Sequence, residues 1–280
     1  MTARSIDGKD LSARVRADLR DRIERAGRPV RLDAVLASPD KGAALYAHNQ
    51  ARTCAEVGIE YHLHELSAEA SYEDVAGRVL LMNTDESVRA IMVHMPLPPA
   101  IDAERVQSLI APEKDVEGVN PANIGNVVYG RRSLVPCTAL ATLEMIEHTG
   151  IALCGARAVV VGASNIVGKP IAVLLMRAEA TVVSANKFTQ GLPALCRDAD
   201  IVVAAAGVPG LVKPDWIKPG AVVVDVGINR IKGADGRAMT VGDVDPAVAG
   251  VAGWLSPVPG GVGPMTVAML LRNVVDAALR

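Results

Sequence analysis

Three segments of this 280-residue chain hold residue types at spacings that could do chemistry. In the first, Gly162, Ala163 and Ser164 follow an apolar run (158–161), and Gly168 precedes another (170–178). A strand, a tight turn and a helix start present unpaired N–H groups and a partial positive charge, which suit a phosphate. Gly162 permits the turn, Ser164 offers a hydroxyl, and Gly168 lets helix and strand pack closely. The spacing is GxSxxxG rather than GxGxxG, and two glycines at such a turn also occur where nothing binds. The second segment, SPVPGGVGPMT (256–266), is Gly or Pro at six of eleven positions and includes Pro259, Gly260 and Gly261. A stiff loop almost free of side chains, running into a helical pattern, is built to lie against something flat or charged. The third is His94, near the end of an apolar strand where α/β proteins place ligands, with a titration range suited to a base or proton shuttle. A lone histidine there is more often a hydrogen-bonded structural residue.

The elements that must position these residues are legible as hydrophobic periodicity. Leu11, Val15, Leu19 and Ile23 are four apart and predict a helix over 11–26. Strands are predicted at 32–38, 59–66 and 90–95, with a helix over 43–57 stopped near Gly58 and a strand end enforced by Pro96. This β-α-β-α-β alternation argues for a parallel sheet covered on both faces. After a connecting helix over 138–149, a second series begins. Its strands are 158–161, 181–186, 201–207 and 221–227; a helix spans 170–178 and a final helix follows Thr266. The expected fold class is therefore α/β in two domains.

Composition narrows the function classes. Net charge is −2 with both signs interspersed, which gives no electrostatic case for nucleic acid or an anionic membrane. The longest uncharged stretch, Pro246 to Leu271, contains the Gly/Pro loop and does not read as a membrane span. The N-terminus, MTARSIDGKD, shows no apolar signal region. Cys54, Cys137, Cys154 and Cys196 have no metal-like spacing, so no metal is expected and the thiols read as bystanders in a reducing cytosol.

The string PVPGGVGPMT (257–266) resembles the signature of the bifunctional methylenetetrahydrofolate dehydrogenase/methenyltetrahydrofolate cyclohydrolase family. The resemblance extends to IDGK (6–9), MPLP (95–98), KDVEG (114–118), VPCT (135–138), GASNIVGKP (162–170) and DWIKPGAVVVDVGINR (215–230), almost the whole chain. It implies a folate-binding catalytic domain over 1–136 completed by 265–280, and a Rossmann-like NADP-binding domain over 137–264. It also implies a cytoplasmic homodimer working in one-carbon metabolism. By resemblance the cofactor meets Gly162, Ala163, Ser164, Gly207 and Ile228, and Lys187 stands where the family has a basic residue near the 2′-phosphate. Independently, the strand at 181–186 ends Ser184, Ala185, Asn186, with no acid to hold a ribose 2′-hydroxyl, so NADP is expected over NAD.

The substrate end departs from the family pattern. The family's Tyr-x-x-x-Lys pair is Tyr46 and Gln50 here; the tyrosine stacks on folate and the missing lysine serves the cyclohydrolase step. Ala43 replaces a serine, His94 a glutamine, Glu117 the aspartate that holds the pterin, Val119-Asn120 a Phe-His pair, and Ala139 a proline. The resemblance assigns substrate contact to Tyr46, Glu117, Pro259, Gly260 and Gly261. Removing hydride from the carbon between N5 and N10 gives a cation stabilised by both nitrogens and needs alignment rather than a base. Hydrating the product must move protons, and a carboxamide such as Gln50 does not titrate. The expectation is an NADP-dependent methylenetetrahydrofolate dehydrogenase with weak or lost cyclohydrolase activity, His94 being the candidate replacement base. The alternatives are a paralogue turned to another one-carbon or pterin reaction, and a non-catalytic binder of NADP or folate.

Overall fold

The computed structural model describes residues 2–38, 40–131, 134–232 and 236–280. In chain order the elements are β1 (Arg4–Ser5), α1 (Gly8–Ala26), β2 (Val30–Leu36), α2 (Lys41–Val57), β3 (Ile59–Glu65), α3 (Tyr72–Thr84), β4 (Ile91–Val93), α4 (Ala103–Gln107), α5 (Pro121–Tyr129) and α6 (Cys137–His148). They continue with β5 (Arg157–Val161), α7 (Gly168–Arg177), β6 (Thr181–Ala185), α8 (Leu192–Arg197), β7 (Ile201–Ala204), β8 (Val222–Asp225), β9 (Asn229–Lys232), β10 (Ala238–Val241), β11 (Trp254–Leu255) and α9 (Val262–Ala278). Two compact units result: Arg14–Val135 with Leu270–Arg280, and Met1–Ala13 with Pro136–Met269.

The first unit is built on a parallel sheet in the order β3-β2-β4. β2 is central and almost wholly buried, as a strand covered on both faces must be. On one face Val35, Ile91 and Val93 pack with Val75, Val79 and Met82 of α3. Helix limits follow local chemistry. Asp40 caps α2 by accepting the Gly42 N–H, and Gly58 ends it at φ 84°. Ser71 and Asp74 form a reciprocal capping box on α3. The buried Lys114 ammonium donates to the carbonyls of Met82 (3.1 Å), Asn83 (2.7 Å) and Asp85 (2.8 Å), satisfying the end of α3. Asp115 accepts the N–H groups of Gly118 and Asn120 and the Asn123 side-chain amide. Those two residues give the KDVEG string its shape. From α9, Asn273 donates to the carbonyls of Val116 and Val135.

The second unit carries a six-stranded parallel sheet, β1-β11-β8-β7-β5-β6, and an antiparallel hairpin, β9–β10. Strand order reverses about β5, the switch point at which a doubly wound sheet opens a crevice at its carboxyl end. Its core is Val- and Ala-rich, drawn from β5, β7 and β8 and the segments over them.

Two boundaries differ from the sequence reading. Residues 1–13 were expected with the N-terminal domain, yet they group with the second unit, because Arg4 and Ser5 pair with Trp254 and Leu255. A two-residue edge strand is too short to show a period. The last helix begins at Val262 rather than after Thr266. Pro264 sits in its first turn, where the absent N–H had no helical partner to lose.

Candidate functional site

In the first unit the residues singled out at the substrate end come together. Tyr46 and Gln50 lie one turn apart on α2, with Cys54 one turn further. Tyr46 is half exposed, and its ring meets the His94 ring edge-on at 6.0 Å. Gln50 is buried, and its amide nitrogen has no hydrogen-bond partner among the described residues. His94, directly after β4, is also buried, and its Nε2 lies 2.6 Å from the Tyr61 hydroxyl on β3. Burial lowers the His94 pKa to about 4 and raises that of Tyr61, so both are neutral across the physiological range. Glu117 receives the N–H of Val93, next to His94, and its Oε2 is enclosed although the residue keeps some surface. Burial first, then the neighbouring Asp115 carboxylate, pushes the Glu117 pKa up to about 7. The cluster is thus polar, enclosed and largely uncharged. Sequence reasoning missed Tyr61; its only signal was a polar-tipped aromatic within an alternating strand.

In the second unit the β5–α7 turn is fixed by backbone contacts that leave no room for side chains. Gly162 has φ +117°, and a Cβ there would lie 2.0 Å from the Ala205 carbonyl oxygen. A Cβ on Gly168 would lie 1.8 Å from the Gly162 carbonyl oxygen. At the start of α7 the Gly168 N–H makes a long 3.4 Å contact to Ser164 Oγ, the Lys169 N–H donates to the Ser164 carbonyl at 3.0 Å, and Pro170 has no N–H, so the helix start is tied to the turn that holds Ala163 and Ser164. After β6, Asn186 accepts the Phe188 N–H and its own N–H goes to Thr189 Oγ1; no carboxylate intervenes. Lys187 stacks its ammonium over the exposed Phe188 ring at 5.0 Å. Gly207 closes the turn after β7 at φ +67°, and Ile228 is 68% exposed. A pocket of about 250 Å³ brings Ile228 together with Pro259, Gly260, Gly261 and Lys9. Gly8 is held against this loop so closely that a Cβ there would lie 1.8 Å from the Gly261 carbonyl oxygen. The positive end of α7, a close-packed glycine turn, a lysine and the missing acid together fit NADP.

Residues 6–117 match the model of the tetrahydrofolate dehydrogenase/cyclohydrolase catalytic domain, and residues 136–280 that of the family's NAD(P)-binding domain. The chain belongs to the tetrahydrofolate dehydrogenase/cyclohydrolase family. It is 45% identical over 284 residues to the bifunctional protein FolD of Moorella thermoacetica, covering all of both chains. It superposes with a TM-score of 0.92 on the FolD dehydrogenase/cyclohydrolase of Campylobacter jejuni, at 36% identity over 98% of this chain and 97% of that one. The TM-score is 0.90, again at 36% identity, with the Trypanosoma brucei enzyme complexed with NADP and an inhibitor, over 98% of this chain and 96% of that one.

Among the described residues no group of His, Cys, Asp and Glu could hold a metal ion, and no helix is long and apolar enough to cross a membrane. Within this family's pattern, the buried carboxamide of Gln50 occupies the position at which the resemblance implied an amine.

Proposed function

We propose that this chain oxidises 5,10-methylenetetrahydrofolate to 5,10-methenyltetrahydrofolate with NADP, and that it hydrates the product only weakly. When bound, NADP supplies the acceptor for the hydride. The chain's own residues then have four tasks. Tyr46 offers a half-exposed ring to the planar pterin or benzoyl system. Glu117 accepts from, or in its protonated form donates to, the polar edge of the pterin; its raised pKa makes both forms accessible near neutrality. Gln50 supplies buried amide donors to an acceptor on the substrate. The α7 start, Ser164 and Lys187 hold the phosphates of the dinucleotide.

The observation that carries the weak-cyclohydrolase reading is the chemistry of Gln50 and His94 together. Gln50 takes up no proton at neutral pH. His94, the candidate replacement base, is held neutral by burial with its Nε2 engaged by Tyr61. A missing general base slows a proton-transfer step by about 10²–10⁴-fold.

The test is to mix pure protein with NADP and methylenetetrahydrofolate and follow NADPH and the methenyl chromophore together. The two should rise in parallel, and Gln50→Lys should make the chromophore decay. Chromophore that vanishes in wild type as fast as NADPH forms would overturn the reading. The family resemblance extends the proposal to a cytoplasmic homodimer, which sedimentation of the pure protein and fractionation of cells would check.

A further inference from the structure

In the second unit two buried aspartates, Asp225 and Asp243, are wired in series through loops at the carboxyl end of the parallel sheet. Asp225 ends β8. Its Oδ1 accepts the N–H groups of Gly227 (3.0 Å) and Asp243 (2.9 Å), and its Oδ2 accepts that of Val244 (2.9 Å). Asp243 is fully buried. Its Oδ2 accepts the N–H groups of Ala206 (2.6 Å) and Gly207 (2.8 Å), and its Oδ1 accepts the Asn229 side-chain amide (2.8 Å). The Asp225 N–H goes in turn to Ser256 Oγ at 2.7 Å, at the mouth of the Gly/Pro loop.

Every oxygen of both carboxylates is therefore occupied by a donor of the unit itself. Among the described residues neither carboxylate has a cationic partner within ion-pair distance, although two buried anions in one network are expensive to maintain. The local sequence is shaped around the pair. A Cβ on Gly227 would lie 2.1 Å from Asp243 Oδ1, and a Cβ on Gly242 would lie 1.8 Å from Asp225 Oδ2. The loops joined in this way are 205–207, 226–229, 242–244 and 256–261. They contain Gly207, Ile228 and Pro259–Gly261, the segments assigned above to cofactor and substrate. A structural tie has no need to converge on the ligand-facing ends of three strands.

We infer that Asp225 and Asp243 are positioning residues that hold the Gly207 and Ile228 loops in their NADP-binding conformation before the cofactor arrives. Preorganisation of this kind raises affinity by removing the ordering cost from the binding step. Both residues act through the backbone amides they hold, and the inference rests on NADP being the cofactor.

The experiment uses the full-length protein and two variants. Asp243→Asn keeps the volume but turns an NH₂ group on donors that need acceptors. Asn229→Ala releases only one Asp243 oxygen and keeps the protein folded should the first variant fail. NADP dissociation constants would be measured by calorimetry, thermal midpoints by scanning, and exchange of the Ala206 and Gly207 amides by hydrogen–deuterium exchange without cofactor. The expected result is NADP affinity weakened about 10–100-fold in Asp243→Asn and less in Asn229→Ala, from hydrogen bonds to a charged group lost or inverted. The two amides should exchange faster in the apo protein, and KM for methylenetetrahydrofolate should stay near wild type. Variants that melt earlier but bind NADP as tightly as wild type, with unchanged exchange at Ala206 and Gly207, would overturn the inference and leave the pair a plain stabilising tie. Wild-type protein that fails to bind NADP would refute the cofactor reading instead.

Discussion

Gly168→Ala should damage both the fold and cofactor binding, by an amount the structure defines. The added Cβ would lie 1.8 Å from the Gly162 carbonyl oxygen, and real Cβ atoms essentially never come within 3.0 Å, so one side must retreat by at least 3.0 − 1.8 = 1.2 Å. The turn has nowhere to go, because Gly162 is already so close to Ala205 that a side chain of its own could not fit. The start of α7 must therefore move away from β5. Forcing an extra methyl into a packed region costs about 1–3 kcal/mol. The shift disturbs the Gly168 and Lys169 N–H bonds that hold Ser164 and draws the positive end of α7 back from the phosphates, and a loss of about 1–2 kcal/mol reduces affinity roughly 10-fold. Gly77→Ala is the control: it lies within α3 with nothing inside 4 Å of the new methyl, and it should stabilise by about 0.5–1 kcal/mol. Urea unfolding and NADP calorimetry on both variants decide the matter. A Gly168→Ala protein as stable as wild type and equally tight for NADP would refute the packing argument.

Three further outcomes are expected. Glu117 has a folded-state pKa of about 7 against an ordinary 4.5, so its protonated form favours the fold. The stability it contributes is complete below pH 4.5, declines as pH rises through 7, and should be absent from Glu117→Gln, whose urea midpoint should change less than wild type's between pH 5 and pH 8. Lys114→Met removes three hydrogen bonds from a buried ammonium at the end of α3 and should lower unfolding free energy by about 2–4 kcal/mol; a change under half a kcal/mol in urea titration would contradict the capping role. The His94 ring signals in NMR should stay fixed from pH 5.5 to pH 8, because burial holds its pKa near 4; a titration near 6.5 would place the ring in water.

The sequence was most readable where one physical rule acted alone. Valine-rich strands such as β5 and β8 and the turn at Gly162 are local patterns, and they announce a parallel sheet and a phosphate-sized crevice without help from distant residues. It was least readable where the partner is remote. Tyr61 and His94 are 33 positions apart and only the stacking of β3, β2 and β4 makes them neighbours. Asp225 and Asp243 read as the ordinary ends of apolar runs until the fold shows six amide donors turned toward them. β1 escaped because two residues have no periodicity. The early start of α9 escaped because Pro264 looks like a helix breaker wherever its distance from the helix end is unknown. The departures at Gln50, His94 and Glu117 were visible as letters; the lowered pKa of His94 and the raised pKa of Glu117 were not, since both arise from enclosure.

Asn273, more than a hundred residues downstream of both, bonds the carbonyls of Val116 and Val135. Its place in the order of synthesis has a consequence. A ribosome that has released the first 135 residues has made nearly all of that unit yet lacks the helical segment that completes it. Arg4 and Ser5 wait even longer for Trp254 and Leu255. Neither half can mature before these later segments are made, so a product terminated ahead of them should emerge sticky and short-lived rather than as a usable fragment.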